Sequence, residues 1–247
     1  MEDLSFYIGV IGNIISVLVF LSPIGTFLRI VKNRSTEEFE SIPYICTLLS
    51  SALWTYYGII RPGSYLVATV NGFGVLVEAI YIVLFLIFAP AKMKAKTAVL
   101  LVLLDGGFLA AVVLGTRLAL KGDVRIDVLG LICACLNIIM YGSPLVARKT
   151  VVTMRSVEYM PFFLSFFLFL NGGIWAFYAI LVGDYFLGIP NGTGCLLGIA
   201  QLILYAMYRN PKASKSRVEG LEEGLQQQQH QHLISPSDRE PLIQEVE

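Results

Sequence analysis

The stretch "RSTEEFESIPYICTLLSSALWTYYG" (34–58) recurs in altered form 121 residues later as "RSVEYMPFFLSFFLFLNGGIWAFYA" (155–179). Both copies open with Arg-Ser and carry a tryptophan near their end. The similarity extends outward, because "NIISVLVFLSP" and "TVNGFG" flank the first copy as "LNIIMYGSP" and "IPNGTG" flank the second. A repeat at a nearly constant spacing predicts two copies of one structural unit.

Both copies are apolar enough to lie in a membrane. Hydrophobic residues make up 56% of the 247 residues and charged residues only 15%, and the mean hydropathy is +0.71. A helix needs about 20 apolar residues to cross ~30 Å of hydrocarbon. Seven such spans are predicted, and they leave no room for a soluble catalytic domain, so an enzyme is not expected: 6–29, 43–60, 66–90, 97–117, 127–147, 160–182 and 186–208.

The repeat covers spans 1–3 and 5–7 and leaves span 4 unmatched. Three spans return the chain on the opposite side of the membrane, so one added crossing gives both copies the same orientation. The predicted fold is an all-α polytopic membrane protein with seven transmembrane helices, in which two parallel three-helix bundles are joined by a linker helix (3+1+3). The first bundle is assigned to 6–90, the linker to 97–117, the second bundle to 127–208 and a disordered, glutamine-rich cytosolic tail to 209–247.

Basic residues in the connections are unequally divided between the two sides. If the spans alternate, 13 lysines and arginines lie on one side and four on the other, the four being Arg61, Arg117, Lys121 and Arg125. The richer side is the cytosolic one in most membrane proteins. The N-terminus is therefore predicted to face the lumen or the outside, and the C-terminus the cytosol.

The quoted strings, with "VFLSP" (19–23) and "PFFLSFFLFLNGGIW" (161–175), resemble the plant SWEET sugar-facilitator family. The resemblance covers roughly residues 5–210, in both halves, and looks closest to members of the vacuolar membrane that move fructose and other hexoses. It implies alternating access without a cofactor, and homo-oligomers such as trimers. In the tail, "DREPLI" (238–243) resembles an acidic dileucine signal, which favours the vacuolar over the plasma membrane.

The residues themselves indicate one central site for a neutral sugar. Sugar hydroxyls pair with amides and hydroxyls, and apolar ring faces pack on aromatic planes. The repeat supplies two copies of both, with a polar residue one turn before each tryptophan: Ser50, Trp54 and Asn71; Asn171, Trp175 and Asn191. Polar groups without partners are costly in lipid, so these side chains are expected to face the interior. The alternatives are amides that join helices and tryptophans at the membrane interface.

The resemblance adds Ser16, Val19 and Met140 to the walls of that site. It implies that Val19 and Met140 set the size of the pocket. Asn171 replaces a serine that is common among sucrose-preferring members, and Met140 is bulky. Both features favour a hexose over a disaccharide.

The resemblance also implies two gates. Four prolines toward the cytosolic ends of spans 1, 2, 5 and 6 match a cytosolic gate or hinge: Pro23, Pro43, Pro144 and Pro161. Proline kinks a helix by removing a hydrogen bond, and a hinge role is favoured for the four, with a plain helix start as the alternative for Pro43 and Pro161. Four residues match the lumenal gate, in which a hydrogen bond between the first and the last of them would close the path: Tyr57, Arg61, Tyr178 and Asp184.

Two intramembrane carboxylates bear on the alternatives to a sugar facilitator. Glu78 and Asp105 are functional candidates by their location in spans, although a structural role is favoured for both. A proton-coupled symporter would use Glu78 facing the cavity. A lumenal-ligand receptor of similar architecture would instead need charged residues in its cavity. The only partners expected are a monosaccharide, the bilayer and further copies of the chain, with no nucleic acid.

No metal site is predicted from the cysteines. The four of them lie inside spans without histidine or carboxylate partners: Cys46, Cys133, Cys135 and Cys195. We interpret them as small packing residues.

Overall fold

A computed structural model of the chain describes residues 2–140 and 162–208. All regular elements in these two ranges are helical. They make up the seven predicted spans, which confirms the predicted fold class. Span 1 consists of α1 (Glu2–Leu21) and α2 (Ile24–Asn33), and spans 2 and 3 are α3 (Ile42–Ile60) and α4 (Tyr65–Phe88). Span 4 is α5 (Ala91–Leu101), a π-helical segment (Val102–Phe108) and α6 (Leu109–Ala119). Spans 5, 6 and 7 are α7 (Gly122–Met140), α8 (Phe162–Val182) and α9 (Tyr185–Tyr208).

Four described segments are long and apolar enough to cross a membrane by length and composition: Asp3–Asn33, Tyr65–Phe88, Ala91–Ala119 and Tyr185–Met207. The apolar part of span 6, Phe166–Val182, is shorter. Spans 2 and 5 are less apolar. Span 2 mixes serines and aromatic residues into its apolar run, and span 5 starts with charged residues such as Asp123 and Arg125.

In each half of the molecule the third helix lies between the other two. Span 3 packs against spans 1 and 2, and span 7 packs against spans 5 and 6. The halves meet along two seams, the first formed by spans 1 and 6 and the second by spans 2 and 5. Exchanging the halves converts one seam into the other, so the packing follows the sequence repeat.

The linker helix lies mainly against the first half. Its helices and π-helical segment contact span 2, α5 also touches span 3, and α6 reaches span 5. At the α5 end, the buried hydroxyls of Ser41 and Thr97 form a 2.7 Å hydrogen bond, and Lys96 pairs with Glu40 at 2.9 Å. These contacts attach α5 to the connection between spans 1 and 2.

Span 1 is broken at Ser22-Pro23. Proline has no N–H to donate to the carbonyl of Val19, which instead accepts the N–H of Ser22 at 3.1 Å. The Tyr81 hydroxyl of span 3 donates to the carbonyl of Phe20 at 3.1 Å. A neighbouring helix thus satisfies a carbonyl at the break, as a helix interrupted within a membrane requires.

Of the other three prolines in the predicted gate, the structure describes one, Pro43. Pro43 lies in the first turn of α3, where its missing N–H removes no helical hydrogen bond. The alternative interpretation of Pro43 as a helix-starting residue therefore describes its place in span 2, and its role at the cytosolic gate stays a prediction. Pro144 and Pro161 lie outside the described residues, as does the tail.

Candidate functional site

A cavity of about 250 Å³ lies between the two halves. Its described walls come from spans 1, 2, 3, 5, 6 and 7, and they carry no formally charged side chain. All nine residues predicted to bind substrate line it: Ser16, Val19, Ser50, Trp54, Asn71, Met140, Asn171, Trp175 and Asn191. The fold thus brings together, in one uncharged cavity, residues that are up to 175 positions apart in the chain.

The walls of the cavity repeat like the sequence. Most lining residues form pairs spaced by 120 or 121 positions: Ser16 and Asn137, Val19 and Met140, Thr47 and Leu168, Ser50 and Asn171, Trp54 and Trp175, Val67 and Leu187, Asn71 and Asn191. Asn137 and Thr47 were missed by the sequence analysis. The signal for Asn137 was available, because adding the repeat spacing to Ser16 gives its position.

Asn71 and Asn191 have the same local geometry. Each Nδ2 donates, at 2.8 Å, to the carbonyl four residues earlier in its own helix, that of Val67 or of Leu187. This bond fixes the plane of the amide. The side-chain carbonyl oxygen then remains as an acceptor at the cavity wall.

One serine–asparagine hydrogen bond crosses each seam. At the first seam, Ser16 Oγ donates to Asn171 Oδ1 at 2.6 Å. At the second, Ser50 Oγ donates to Asn137 Oδ1 at 2.9 Å. The two residue types trade places between the seams. At the first seam the serine is on the first span of its half, and at the second seam it is on the second span of its half. Both bonds tie the halves together at the level of the cavity.

Trp54 and Trp175 are both buried and both meet a tyrosine edge-on, with ring centroids 5.2 and 5.3 Å apart for Tyr57 and Tyr178. Their indole N–H groups differ. Trp175 Nε1 donates to Ser16 Oγ at 2.9 Å. Trp54 Nε1 is buried and has no hydrogen-bond partner among the described residues.

A polar cluster lies beside the cavity residues Trp54 and Leu187, and we call it the gate cluster after its predicted role: Tyr57, Arg61 and Asp184. The Tyr57 hydroxyl donates to the Asp184 carboxylate, with 3.0 Å to each oxygen, and accepts from Arg61 Nη1 at 3.0 Å. Arg61 Nε lies 3.2 Å from Asp184 Oδ2. Tyr57 and Asp184 are 0% and 2% exposed, so the bonds between them are shielded from solvent.

Asp184 also stabilises the start of a helix. Its Oδ1 accepts the N–H of Leu187 at 3.1 Å, which caps the start of α9. The repeat places Ser64 at the equivalent position of the first half. Tyr178, the counterpart of Tyr57, makes only a long bond of 3.5 Å to the carbonyl of Gly63. The repeat counterparts of Tyr57 and Asp184, which are Tyr178 and Ser64, therefore do not form a second such cluster, and Tyr178 lies outside the gate cluster.

The two intramembrane carboxylates are not part of the cavity wall. Glu78 is 4% exposed, and its Oε2 has no hydrogen-bond partner among the described residues. Asp105 lies in the π-helical segment of the linker, with both oxygens likewise unpaired within the described ranges. Neither carboxylate is placed to touch a ligand in the cavity.

Comparison with known proteins was made for the sequence and for the fold. The model of the family described as "Sugar efflux transporter for intercellular exchange" matches residues 6–93 and again 127–213. The chain is 61% identical over 223 residues to "Bidirectional sugar transporter SWEET16" of Arabidopsis thaliana, covering 90% of this chain and 96% of that protein. It is 57% identical over 248 residues to "Bidirectional sugar transporter SWEET17" of the same plant, covering 100% and 98%.

A solved structure of a eukaryotic SWEET transporter has the same fold. The two superpose with a TM-score of 0.79 and are 40% identical in sequence, over 84% of this chain and 98% of the other.

Proposed function

Because the chain belongs to the SWEET family of sugar transporters, we propose that it carries hexoses, fructose and glucose first among them, in either direction down their gradient by alternating access. Membership makes the chain a sugar transporter and not an enzyme. The observation that carries the finer proposal is the uncharged cavity, in which each half supplies an oriented asparagine and a tryptophan.

The choice of a hexose rests on the chemistry and size of that cavity. The carbonyl oxygens of Asn71 and Asn191 accept sugar hydroxyls, and the indole planes of Trp54 and Trp175 pack on the ring. Met140 and Asn171 occupy the walls where smaller residues would leave room for a second ring. A single ring suits the volume of about 250 Å³.

Two features support alternating access: the gate cluster and the helix break at Pro23. The gate cluster closes one end, which on the charge pattern is the lumenal end. The break at Pro23 lies on the first span beyond Val19 and Phe20 of the cavity wall. In parallel-repeat transporters, the SWEET family among them, the halves rock around a fixed site. We assign the cytosolic gate to Pro23, Pro43, Pro144 and Pro161, with Pro43 acting at the start of its helix.

No coupling ion is included in this mechanism. A symporter needs a titratable group that senses the substrate, and the described cavity wall contains none. A receptor for a charged lumenal ligand lacks a counter-charge for the same reason. Glu78 and Asp105 are assigned structural roles.

The remaining assignments follow from sequence features. We assign 6–90 and 127–208 to the two bundles, 97–117 to the linker and 209–247 to a cytosolic tail. The charge bias supports a lumenal N-terminus and a cytosolic C-terminus, and the dileucine-like motif supports the vacuolar membrane over the plasma membrane. Homo-oligomers such as trimers rest on the family resemblance alone.

The test is radiolabelled uptake into proteoliposomes that contain the purified chain. Fructose and glucose should enter and exchange by counterflow, sucrose and amino acids should not, and collapse of an imposed pH gradient should leave the initial rate unchanged. Preference for sucrose would overturn the hexose assignment. Loss of uptake with the pH gradient would replace the facilitator by a symporter.

A further inference from the structure

The two tryptophans of the cavity are equivalent in sequence but not in hydrogen bonding. Trp175 Nε1 donates to Ser16 Oγ at 2.9 Å, and the same oxygen donates onward to Asn171 at 2.6 Å. Trp54 Nε1 is shielded from solvent and has no acceptor among the described residues. One indole donor is thus used within the protein, and the other is not.

The exchanged seams account for this difference. A serine hydroxyl both donates and accepts, so Ser16 can serve Asn171 and Trp175 together. Asn137 stands at the position equivalent to Ser16, and its Oδ1 accepts the hydroxyl of Ser50. Neither Ser50 nor Asn137 accepts the Trp54 indole N–H, so the second seam lacks the bond that Ser16 supplies to Trp175 at the first. The inequality therefore follows from which residue, serine or asparagine, each half contributes.

A buried N–H without an acceptor is destabilising until a partner reaches it, and buried donors in native proteins nearly always have one. Trp54 lines the cavity in which the proposed substrate binds. A hexose carries hydroxyl oxygens around its whole ring, any of which can accept this bond. We propose that the Trp54 indole N–H donates a hydrogen bond to a hydroxyl of the bound hexose, whereas Trp175 contributes only its ring face.

This assignment rests on the proposed function and adds to it an orientation for the sugar. A pseudo-symmetric cavity with two equal tryptophans would accept a ring in two ways related by exchange of the halves. A single free donor removes that equivalence. The sugar is then held with one particular edge toward span 2. Because the Trp54 N–H is shielded in this structure, the bond requires the wall around it to open as the ligand enters.

The experiment compares W54F with its matched control W175F in equilibrium binding of fructose to the purified chain. Phenylalanine keeps an aromatic face and removes the donor. One hydrogen bond is worth about a five- to tenfold change in Kd, so W54F should weaken binding by about that factor. W175F loses a bond to Ser16 inside the protein and none to the sugar, so it should keep the wild-type dependence of Kd on each sugar hydroxyl.

Fluorescence gives a second readout, since the chain has only two tryptophans. In W175F the remaining Trp54 should shift its emission when fructose binds, because its N–H gains an acceptor. In W54F the remaining Trp175 should shift little. The sulfur isostere of tryptophan at position 54, which keeps the bicyclic shape without the N–H, should reproduce the Kd of W54F and rules out a packing defect of phenylalanine.

Deoxy-hexoses identify the acceptor. One deoxy analogue should bind more weakly than the parent sugar to the wild-type chain and to W175F, but equally well to W54F. If no analogue shows this pattern, the inference is overturned while hexose transport stays intact. Failure of the wild-type chain to bind any hexose would instead refute the proposed function.

Discussion

The Tyr57 hydroxyl lies 3.0 Å from both carboxylate oxygens of Asp184, across the boundary between span 2 of one half and the start of span 7 of the other. Arg61 joins them by a hydrogen bond to Tyr57 and an ion pair with Asp184. On the proposed mechanism, opening of the lumenal end separates Tyr57 from Asp184. We therefore expect their hydrogen bond to control how often that end opens.

Y57F should open that end more often. The variant loses the bond to the carboxylate, while Arg61 and the N–H of Leu187 continue to hold Asp184. A hydrogen bond to a charged group is worth about 1.5–3 kcal/mol, so the open population should rise about tenfold or more. Modification of a cysteine introduced at the buried Ser64 by an impermeant maleimide should accelerate by that factor.

Y178F is the matched control, because its hydroxyl makes only the 3.5 Å bond to Gly63. It should label at nearly the rate of the S64C parent. Equal acceleration in Y57F and Y178F would mean that the aromatic packing, and not the bond to Asp184, keeps the end closed.

The two seams should be interchangeable. N171S alone leaves a side chain too short for Ser16, so it should slow fructose counterflow about threefold or more, the loss expected for one hydrogen bond. S16N alone crowds two amides together. The double variant S16N/N171S recreates the Asn137–Ser50 arrangement of the second seam.

The double variant should therefore recover at least about half of the wild-type rate, a positive coupling of the kind expected for residues in contact. The measurement is counterflow at equal protein amounts, with folding checked by size-exclusion chromatography. Additive losses in the double variant would show that the bond does not join the halves.

Spans 2 and 3 approach closely at Gly58. A Cβ there would lie 2.5 Å from the backbone nitrogen of Ala68, so G58A should lower stability by about 1–3 kcal/mol. The second half carries the same pair in reverse, with Ala179 against Gly188. G58A/A68G removes the contact with the Ala68 Cβ at 2.9 Å but leaves the backbone nitrogen, so it should regain only part of the lost melting temperature.

Gly115 provides the control for G58A, because a Cβ on it meets nothing within 4 Å. G115A should melt like the wild-type chain. A double variant that melts like the wild-type chain would show instead that spans 2 and 3 adjust to the wider Ala179–Gly188 geometry of the second half.

E78Q and D105N should both transport fructose without dependence on a pH gradient. Neither carboxylate touches the cavity, and each amide keeps the size of the side chain it replaces. Initial rates within about twofold of wild type are expected, as for substitutions that leave packing intact. A wild-type chain that concentrates fructose under a pH gradient, with the effect lost in E78Q, would contradict this.

The repeat made most of the site predictable. A spacing of 120 or 121 residues paired Trp54 with Trp175 and Asn71 with Asn191, and these residues line one cavity. Because polar groups in lipid must face the interior, the sequence also predicted which face of each helix lines the cavity. Met140 and Val19 have no chemistry of their own to reveal them and came from the family resemblance.

What the sequence could not give depends on contacts between distant residues. The repeat spacing could have located Asn137, but its bond to Ser50 across the seam is visible only in the structure. Tyr81 supports the break in span 1 from 61 positions away. The inequality of the two indole N–H groups arises from both seams together. For Pro43 the sequence favours a hinge over a helix start, and the structure places it in the first turn of its helix.

The proposal that two halves build one sugar site is tested most directly by fructose counterflow in N71A and N191A. Each variant removes one of two equivalent amides, so each should reduce the rate at least about tenfold, as expected when a ligand's hydroxyl loses its partner in a buried site. Thr69→Ala, a change of an exposed neighbour, should leave the rate unchanged. Wild-type rates in both asparagine variants would contradict the central site.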